Sequence, residues 1–241
     1  MRDLILVSFL SYNALACAPT TVGGTHHDMS AAGHDRMADD EQRTGNAHQQ
    51  QYDASQTESY SRRCAVDNQR VAGVGDACWT EYVKPTNEHR EEATKHRKLA
   101  ADHRAASQSL RDVETRACAG LSDADRDESP FHHRADIVSV ETLSEGSIGT
   151  RGTARVVGAT VTFRAVRGLT AEWLQRVVDC HLARNAALGH DVPEMPYCPL
   201  VPKGVSATVT AASKGFAVAI RADDQASAED VLRRARALDS K

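Results

Sequence analysis

The sequence predicts an α+β fold made of a disordered tether, one long helix, and a small antiparallel sheet with two helices on one face. Residues 18–60 carry almost no large apolar side chains, so they bury too little surface to offset the entropy of ordering. Residues 86–119 contain few β-forming residues and are typical of one helix about 50 Å long. Beyond residue 154, strand-like alternation and helix-like periodicity follow each other, which indicates a compact α+β module.

The first sixteen residues have the features of a secretory signal peptide. Arg2 is followed by an apolar run at residues 4–10, which is too short to span a bilayer permanently. The run leads to the sequence Ala14-Leu15-Ala16-Cys17. Small residues directly before a cysteine resemble the lipobox of bacterial lipoproteins.

The lipobox resemblance implies that Cys17 carries a lipid and begins the mature protein. Ala18 directly after it implies sorting to the periplasmic face of the outer membrane, with the lipid as the membrane anchor. The alternative is an ordinary signal peptide, whose removal would leave a soluble periplasmic or secreted protein.

Four segments are therefore predicted. They are a signal peptide at 1–16, a lipidated disordered tether at 17–60, a helical segment at 61–128 and an α+β module at 129–241. The net charge of −4 over 241 residues gives no strong field of the kind that marks a nucleic-acid binder, so no nucleic-acid partner is expected.

Export to an oxidising compartment makes the remaining five cysteines candidates for disulfides. Cys180 and Cys198 flank one helix end and its return loop, which predicts a bridge that stabilises the fold by about 3 kcal/mol. Cys64 and Cys78 are the next local pair. Cys118 would then be free or intermolecular, and a bridge from Cys118 to Cys78 is the alternative.

Two copies of a His-x-x-Met motif lie eight residues apart within the predicted tether. They are formed by His26 with Met29 and by His34 with Met37, and His27 is a further candidate ligand beside the first motif. The motifs resemble those of bacterial periplasmic silver- and copper-binding proteins, which implies Cu(I) or Ag(I) as the ion. Imidazole and thioether groups suit soft ions, and residues at i and i+3 share one face of a helix. The alternative is a solvated, His-rich tail.

The predicted long helix carries a His-Arg-x-x-Ala repeat of seven residues. His89, His96 and His103 therefore fall on one face, but about 10.5 Å separates successive histidines along the axis. Glu92 and His96, at i and i+4, form a two-ligand step. A metal site, with Zn(II) as a further candidate ion, would need ligands from the tail, from His132-His133 or from a second copy of the chain.

The same helix predicts a packing seam. If His89 occupies heptad position a, the d positions change from polar to apolar along the helix. These d positions are Glu92, Leu99, Ala106 and Val113. Such a seam predicts a protein partner or self-association along the helix. The alternative for the histidines is a structural role on a weakly packed or solvated face.

The C-terminal module is predicted to alternate strands and helices. Its elements are a short helix from Ser129 through Arg134, strands at 137–143 and 157–165, a helix from the Thr170 cap to Gly189, a hairpin of 205–209 with 216–220, and a last helix opened by Ser227.

Across its whole length the chain resembles uncharacterised bacterial envelope lipoproteins that carry a His/Ala/Arg-rich helix before a small α+β module, and this resemblance implies no activity. No acid pair, Ser/His/Asp set or phosphate loop stands out, so no enzyme is predicted. The favoured hypothesis is a membrane-anchored periplasmic lipoprotein that binds or buffers soft or borderline metal ions through His and Met. The alternative is a structural or protein-interaction envelope lipoprotein with no metal role.

Overall fold

The structure, a computed structural model, describes residues 29–56, 58–64, 78–146 and 154–239, with the backbone alone for 58–64 and 78–83. Cys17, His26 and His27 lie outside these ranges. The lipid anchor and the metal-ligand roles of His26 and His27 therefore stay predictions. Within the described part of the chain, no helix combines the length and the apolarity needed to cross a membrane.

Two helices form an antiparallel hairpin. Helix α1 spans Ala31–Gln51 and helix α2 spans Asn87–Ala117. Ser30 caps α1, because its hydroxyl accepts a hydrogen bond from the Gly33 amide at 3.0 Å. The prediction of a disordered tether is wrong for residues 31–51. The helix predicted at 86–119 is α2, but it is one of two long helices that pack as a hairpin.

Helix α1 is ordered although it contains almost no large apolar side chain. Its inner face consists of the buried small residues Ala31, Ala38 and Gly45, and α1 packs along α2. Close approach of two backbones collects many weak dispersion contacts, which stabilise the pair without large side chains. A search for large apolar residues does not detect a helix held in this way.

A two-stranded antiparallel ribbon lies between the two helices in sequence. Strand β1 spans Glu58–Cys64 and strand β2 spans Cys78–Val83, at the start of the segment that the sequence predicted to be helical. The backbone register places Cys64 opposite Cys78, and paired positions of neighbouring strands are close enough for a bridge. The Cys64–Cys78 bridge itself stays a prediction.

The link from α2 to the C-terminal module is short. Helix α3 spans Asp123–Asp127, and two 3₁₀ turns follow at Pro130–His132 and Arg134–Asp136. The second half of this link replaces the short helix that the sequence predicted. Ser129 still caps it as expected, since its hydroxyl accepts a hydrogen bond from the Phe131 amide at 3.3 Å.

A four-stranded antiparallel sheet forms the C-terminal module, and the α+β class is confirmed. Its strands are β3 at Ile137–Glu145, β4 at Arg155–Arg164, β5 at Val205–Ala212 and β6 at Gly215–Ala222. The strand order is β3-β4-β6-β5. Val161 lies opposite Val140 on one side and Val218 on the other, so β-branched side chains meet at the centre of the sheet.

Two further helices complete the module. Helix α4 spans Ala171–Ala187 and helix α5 spans Gln225–Asp239. Both contribute to the same apolar core as β4 and β6. That both helices lie on one face of the sheet stays a prediction. Asp224 rather than Ser227 caps α5, because the Asp224 carboxylate accepts a hydrogen bond from the Ser227 amide at 2.9 Å.

A disulfide joins Cys118, at the end of α2, to Cys180 in α4, with 4.6 Å between the Cα atoms. The predicted Cys180–Cys198 bridge is wrong, and so is the prediction that Cys118 is left over. Helix α4 packs against α2, which brings Cys180 to the end of α2 rather than to its own return loop. Cys198 is a buried free thiol, 3.1 Å from the Ser129 hydroxyl, and burial raises the pKa of this thiol.

Candidate site in the seam of the helix hairpin

The contact between α1 and α2 repeats every seven residues on both helices. Each repeat contributes one small residue and one histidine or glutamate, at the spacing of a and d positions in a coiled coil. The small residues are Ala31, Ala38 and Gly45 on α1 and Ala93, Ala100 and Ser107 on α2. The polar residues, which we call the histidine seam, are His34, Glu41 and His48 on α1 and His89, His96 and His103 on α2.

Two pairs of histidines face each other across the hairpin. The Nδ1 atoms of His34 and His103 are 3.0 Å apart. Those of His48 and His89 are 3.2 Å apart. The seven-residue spacing keeps successive histidines of α2 apart, but the antiparallel helix supplies each outer histidine with a partner.

The middle position of the seam pairs an acid with a histidine. Nδ1 of His96 lies 2.5 Å from Oε2 of Glu41, and Nε2 of His96 lies 3.7 Å from Oε2 of Glu92. The His96 ring also stacks on the His48 ring, with centroids 5.6 Å apart. Three imidazoles and two carboxylates therefore gather at the His48 end, since the His89 ring lies 5.5 Å from that of His48.

The small residues set the separation of the helices. Ala93 and Ala100 are fully buried. A Cβ atom added to Gly45 would lie 3.2 Å from the Ala93 carbonyl oxygen and 3.3 Å from the His96 Cβ. No larger side chain fits at this position without displacement, so the imidazoles are held within reach of the opposite helix.

The His34 end of the seam is the more enclosed one. His34 and His103 are 6% and 4% exposed. Beside them, Arg111 binds Asp35 at 2.5 Å and also donates to the Ser107 hydroxyl at 2.8 Å. The hydrogen bond from Arg111 holds the pKa of Asp35 below its usual range. A negative charge therefore persists next to His34 at neutral and mildly acidic pH.

The thioethers of the predicted tail motifs are half-buried at the same end. Met29 lies just before α1, where a Cβ added to Gly33 would meet the Met29 sulfur at 3.4 Å. Met37 is in α1, three residues after His34. Two soft sulfur donors, Met29 and Met37, are therefore close to His34 in the sequence.

The facing Nδ1 atoms have two possible chemical uses. In a neutral pair one Nδ1–H donates and the other nitrogen accepts, so each pair shares one proton. Two nitrogens bound to one tetrahedral Zn(II), at about 2.0–2.1 Å each, lie about 3.4 Å apart. Spacings of 3.0 and 3.2 Å are thus close to those at which an ion replaces the shared proton.

The described residues do not contain a complete metal centre. No group of three or more His, Cys, Asp or Glu side chains within them converges as ready ligands for one ion. Ion binding at either histidine pair would therefore need small side-chain rotations, and water or residues outside the described ranges as further ligands.

The sequence correctly placed His89, His96 and His103 on one face, with Glu92 near His96. Their hydrogen-bond partners come from α1, and metal ligands from the tail stay a prediction. His132 and His133 instead contact each other, and His132 lies against Tyr197 in the C-terminal module.

The predicted packing seam was wrong at its apolar end, although the histidines at its predicted a positions do contact α1. Val113, expected at a d position, is 44% exposed. The buried row contains Ala93, Ala100 and His103. Small residues alternate with the histidines in the contact, whereas Leu99 and Ala106, at predicted d positions, are only half-buried.

Two seam residues, Glu41 and His48, were missed because the tether was read as disordered. A signal was present, since His34, Glu41 and His48 repeat the seven-residue spacing of the α2 histidines. Comparisons of the chain with protein-family models, curated proteins and solved structures found no match.

Proposed function

We propose that this protein is a lipid-anchored, non-enzymatic envelope protein that binds Cu(I), Ag(I) or Zn(II) through the histidine seam. The observation that carries the proposal is the pair of cross-helix contacts, His34 with His103 and His48 with His89, at 3.0 and 3.2 Å. The anchor rests on Cys17 and on its lipobox resemblance.

The stability that the hairpin loses by having polar residues in its contact is an argument that the seam binds a ligand. Coiled coils are stabilised by apolar a and d residues, whereas here five imidazoles and one carboxylate occupy six of the twelve contact positions. The hairpin gives up apolar burial at each of them. An ion that binds only the closed hairpin returns stability, about 2.7 kcal/mol at a free concentration one hundred times its Kd.

The two ends of the seam suit different ions. The His48 end combines three imidazoles with the carboxylates of Glu41 and Glu92, and such nitrogen and oxygen donors suit Zn(II). The His34 end has Met29 and Met37 nearby in sequence, and thioethers suit Cu(I) and Ag(I).

The alternative function, an association surface along α2, is weakened by the hairpin. Helix α1 of the same chain covers the histidine face of α2. A partner would have to displace α1 or use another face of α2. The exposed Val113 is the one large apolar side chain above 40% exposure on this helix in the described residues, which is little for a docking surface.

The proposal is tested by titrating the mature protein with Zn(II) and with Ag(I) by calorimetry. A variant with His48→Gln and His89→Gln should lose at least about tenfold in Zn(II) affinity, a change of about 1.4 kcal/mol. The matched control carries His132→Gln and His133→Gln, which removes two histidines outside the seam, and should bind as the parent does.

Two results would contradict the proposal. One is parental affinity no tighter than that of a control with a scrambled tail and no seam histidines. The other is an equal loss of affinity in the seam variant and in the His132/His133 control. In both cases the structural role alone would stand.

The anchor is tested separately, because it does not depend on the metal. Mass spectrometry of the mature chain should find diacylglycerol on Cys17, and Cys17→Ser should release the protein from membranes. A signal peptide cut elsewhere, with an unmodified Cys17, would contradict the anchor and leave metal binding untouched.

A further inference from the structure

A cavity of about 540 Å³ opens in the C-terminal module. It lies between α3 with the 3₁₀ turns on one side and α4 with the loop before it on the other. None of the seam residues lines it. Its size is within the range of small-molecule sites.

The cavity has an apolar floor and apolar walls. Phe163, Leu174 and Val177 line it and are at most 4% exposed. Val166 and Trp173 also line it, yet they are 39% and 36% exposed. These two belong to only five large apolar side chains with such exposure in the described residues, and their concentration at one cavity is typical of a ligand site.

The rim of the cavity is mainly acidic. Asp125, Glu128 and Asp136 line it, against one permanently charged base, Arg167. Asp136 is already paired with Arg164 at 2.6 Å. Among the described residues, the carboxylates of Asp125 and Glu128 form no ion pair, although Asp125 accepts a hydrogen bond from the Ser122 hydroxyl at 2.6 Å.

The walls and the rim together define one class of occupant. An aromatic or branched apolar body removes the Trp173 and Val166 surfaces from water, and a cation next to an indole ring and carboxylates gains electrostatic energy. We propose that this cavity binds a small organic cation whose apolar body lies against Trp173 and Val166 and whose charge faces Asp125 and Glu128.

The test uses two ions of the same size and shape but opposite charge. Tetraphenylphosphonium and tetraphenylborate are each titrated into the full protein carrying Trp79→Phe, so that Trp173 is the one tryptophan left. Tetraphenylphosphonium should change Trp173 fluorescence saturably. Tetraphenylborate should bind at least about tenfold more weakly.

Two variants locate the site. Asp125→Asn with Glu128→Gln should weaken tetraphenylphosphonium at least about tenfold while keeping the backbone carbonyls of both residues, which bind His181. Val166→Arg places a positive charge at an exposed wall position and should abolish binding without altering the core. Glu194→Gln, an exposed acid outside the cavity, is the control and should bind as the parent does.

The proposal is overturned if the two ions bind equally, because the site would then be apolar without charge selection. It is also overturned if no saturable fluorescence change occurs, or if Glu194→Gln weakens binding as much as the rim variant. Circular dichroism spectra that match the parent show that each variant is folded.

Discussion

Gly45 lies at a point of close approach between α1 and α2, in the middle of a helix. Glycine in a helix interior costs about 1 kcal/mol relative to alanine. The neighbours of its missing Cβ are the Ala93 carbonyl oxygen and the Cβ of His96. Gly45 therefore lowers the intrinsic stability of the helix but allows the two helices to come close enough for the imidazoles of the seam to touch.

Replacing this glycine should open the hairpin. Gly45→Val should lower the free energy of unfolding by about 1–3 kcal/mol, because the branched side chain must displace the Ala93 carbonyl or the His96 side chain. Ala47→Val, at an exposed position of the same helix, should cost no more than about 0.5 kcal/mol. Urea unfolding followed by circular dichroism measures both. Equal losses would contradict the close approach.

The role of His181 depends on its protonation. It is fully buried in α4, and its Nε2–H donates to the carbonyl oxygens of Glu128 at 2.9 Å and Asp125 at 3.2 Å. No described residue forms a hydrogen bond with its Nδ1. Burial lowers the pKa of His181 below its ordinary 6.5 although the two backbone hydrogen bonds oppose the shift, so the folded protein keeps this ring neutral.

The lowered pKa predicts a loss of stability in acid. Below about pH 6.5 the unfolded chain binds a proton at His181 that the folded chain refuses, so the free energy of unfolding falls as the pH drops through that value. His181→Gln should unfold more easily at pH 8 and show a shallower fall between pH 7 and 5. The measurement is urea unfolding at each pH. Parallel pH profiles of parent and variant would contradict this role.

At the scale of elements, the sequence predicted the strands and helices that bury large apolar residues and missed the helix that buries small ones. Strands β4, β5 and β6 and helix α4 were anticipated because alternation and helical periodicity reveal a buried face. Helix α1 was not, since its buried face consists of alanine, glycine and one histidine. The seven-residue repeat of His34, Glu41 and His48 was the available signal, and it matters only when compared with the repeat in α2.

The hairpin should loosen as a unit when a facing pair is removed. His34 and His103 lie 3.0 Å apart at the enclosed end of the seam, so replacing both with Ala removes their contact and leaves a cavity between the helices. Helicity by circular dichroism should therefore fall. Unchanged helicity would mean that the pairs do not hold the helices together.

At the scale of the whole molecule, a disulfide bond joins the hairpin to the C-terminal module. Cys118 ends α2 and Cys180 lies within α4. The sequence could not predict this pair, because 62 residues separate the two cysteines and only tertiary packing brings them together. Nearness along the chain favoured Cys198, which instead lies in the apolar core.

Removing this bridge should affect the whole molecule. In the chain-entropy model a loop of this length contributes about 4 kcal/mol, so Cys118→Ala with Cys180→Ala should lower the free energy of unfolding by that order. Cys198→Ala removes a buried thiol without a bridge and should cost much less. A parent protein equally stable with and without a reducing agent would contradict the structural role of the bridge.

The central claim is that facing imidazoles of the hairpin bind a metal ion. Its most direct test is nuclear magnetic resonance of the mature protein with ¹⁵N-labelled histidine during a Zn(II) titration. The account predicts that the Nδ1 signals of His48 and His89 shift together, saturate at a fixed stoichiometry and leave His132 and His133 unchanged. Unshifted seam signals at saturating Zn(II), or shifts confined to His132 and His133, would contradict it.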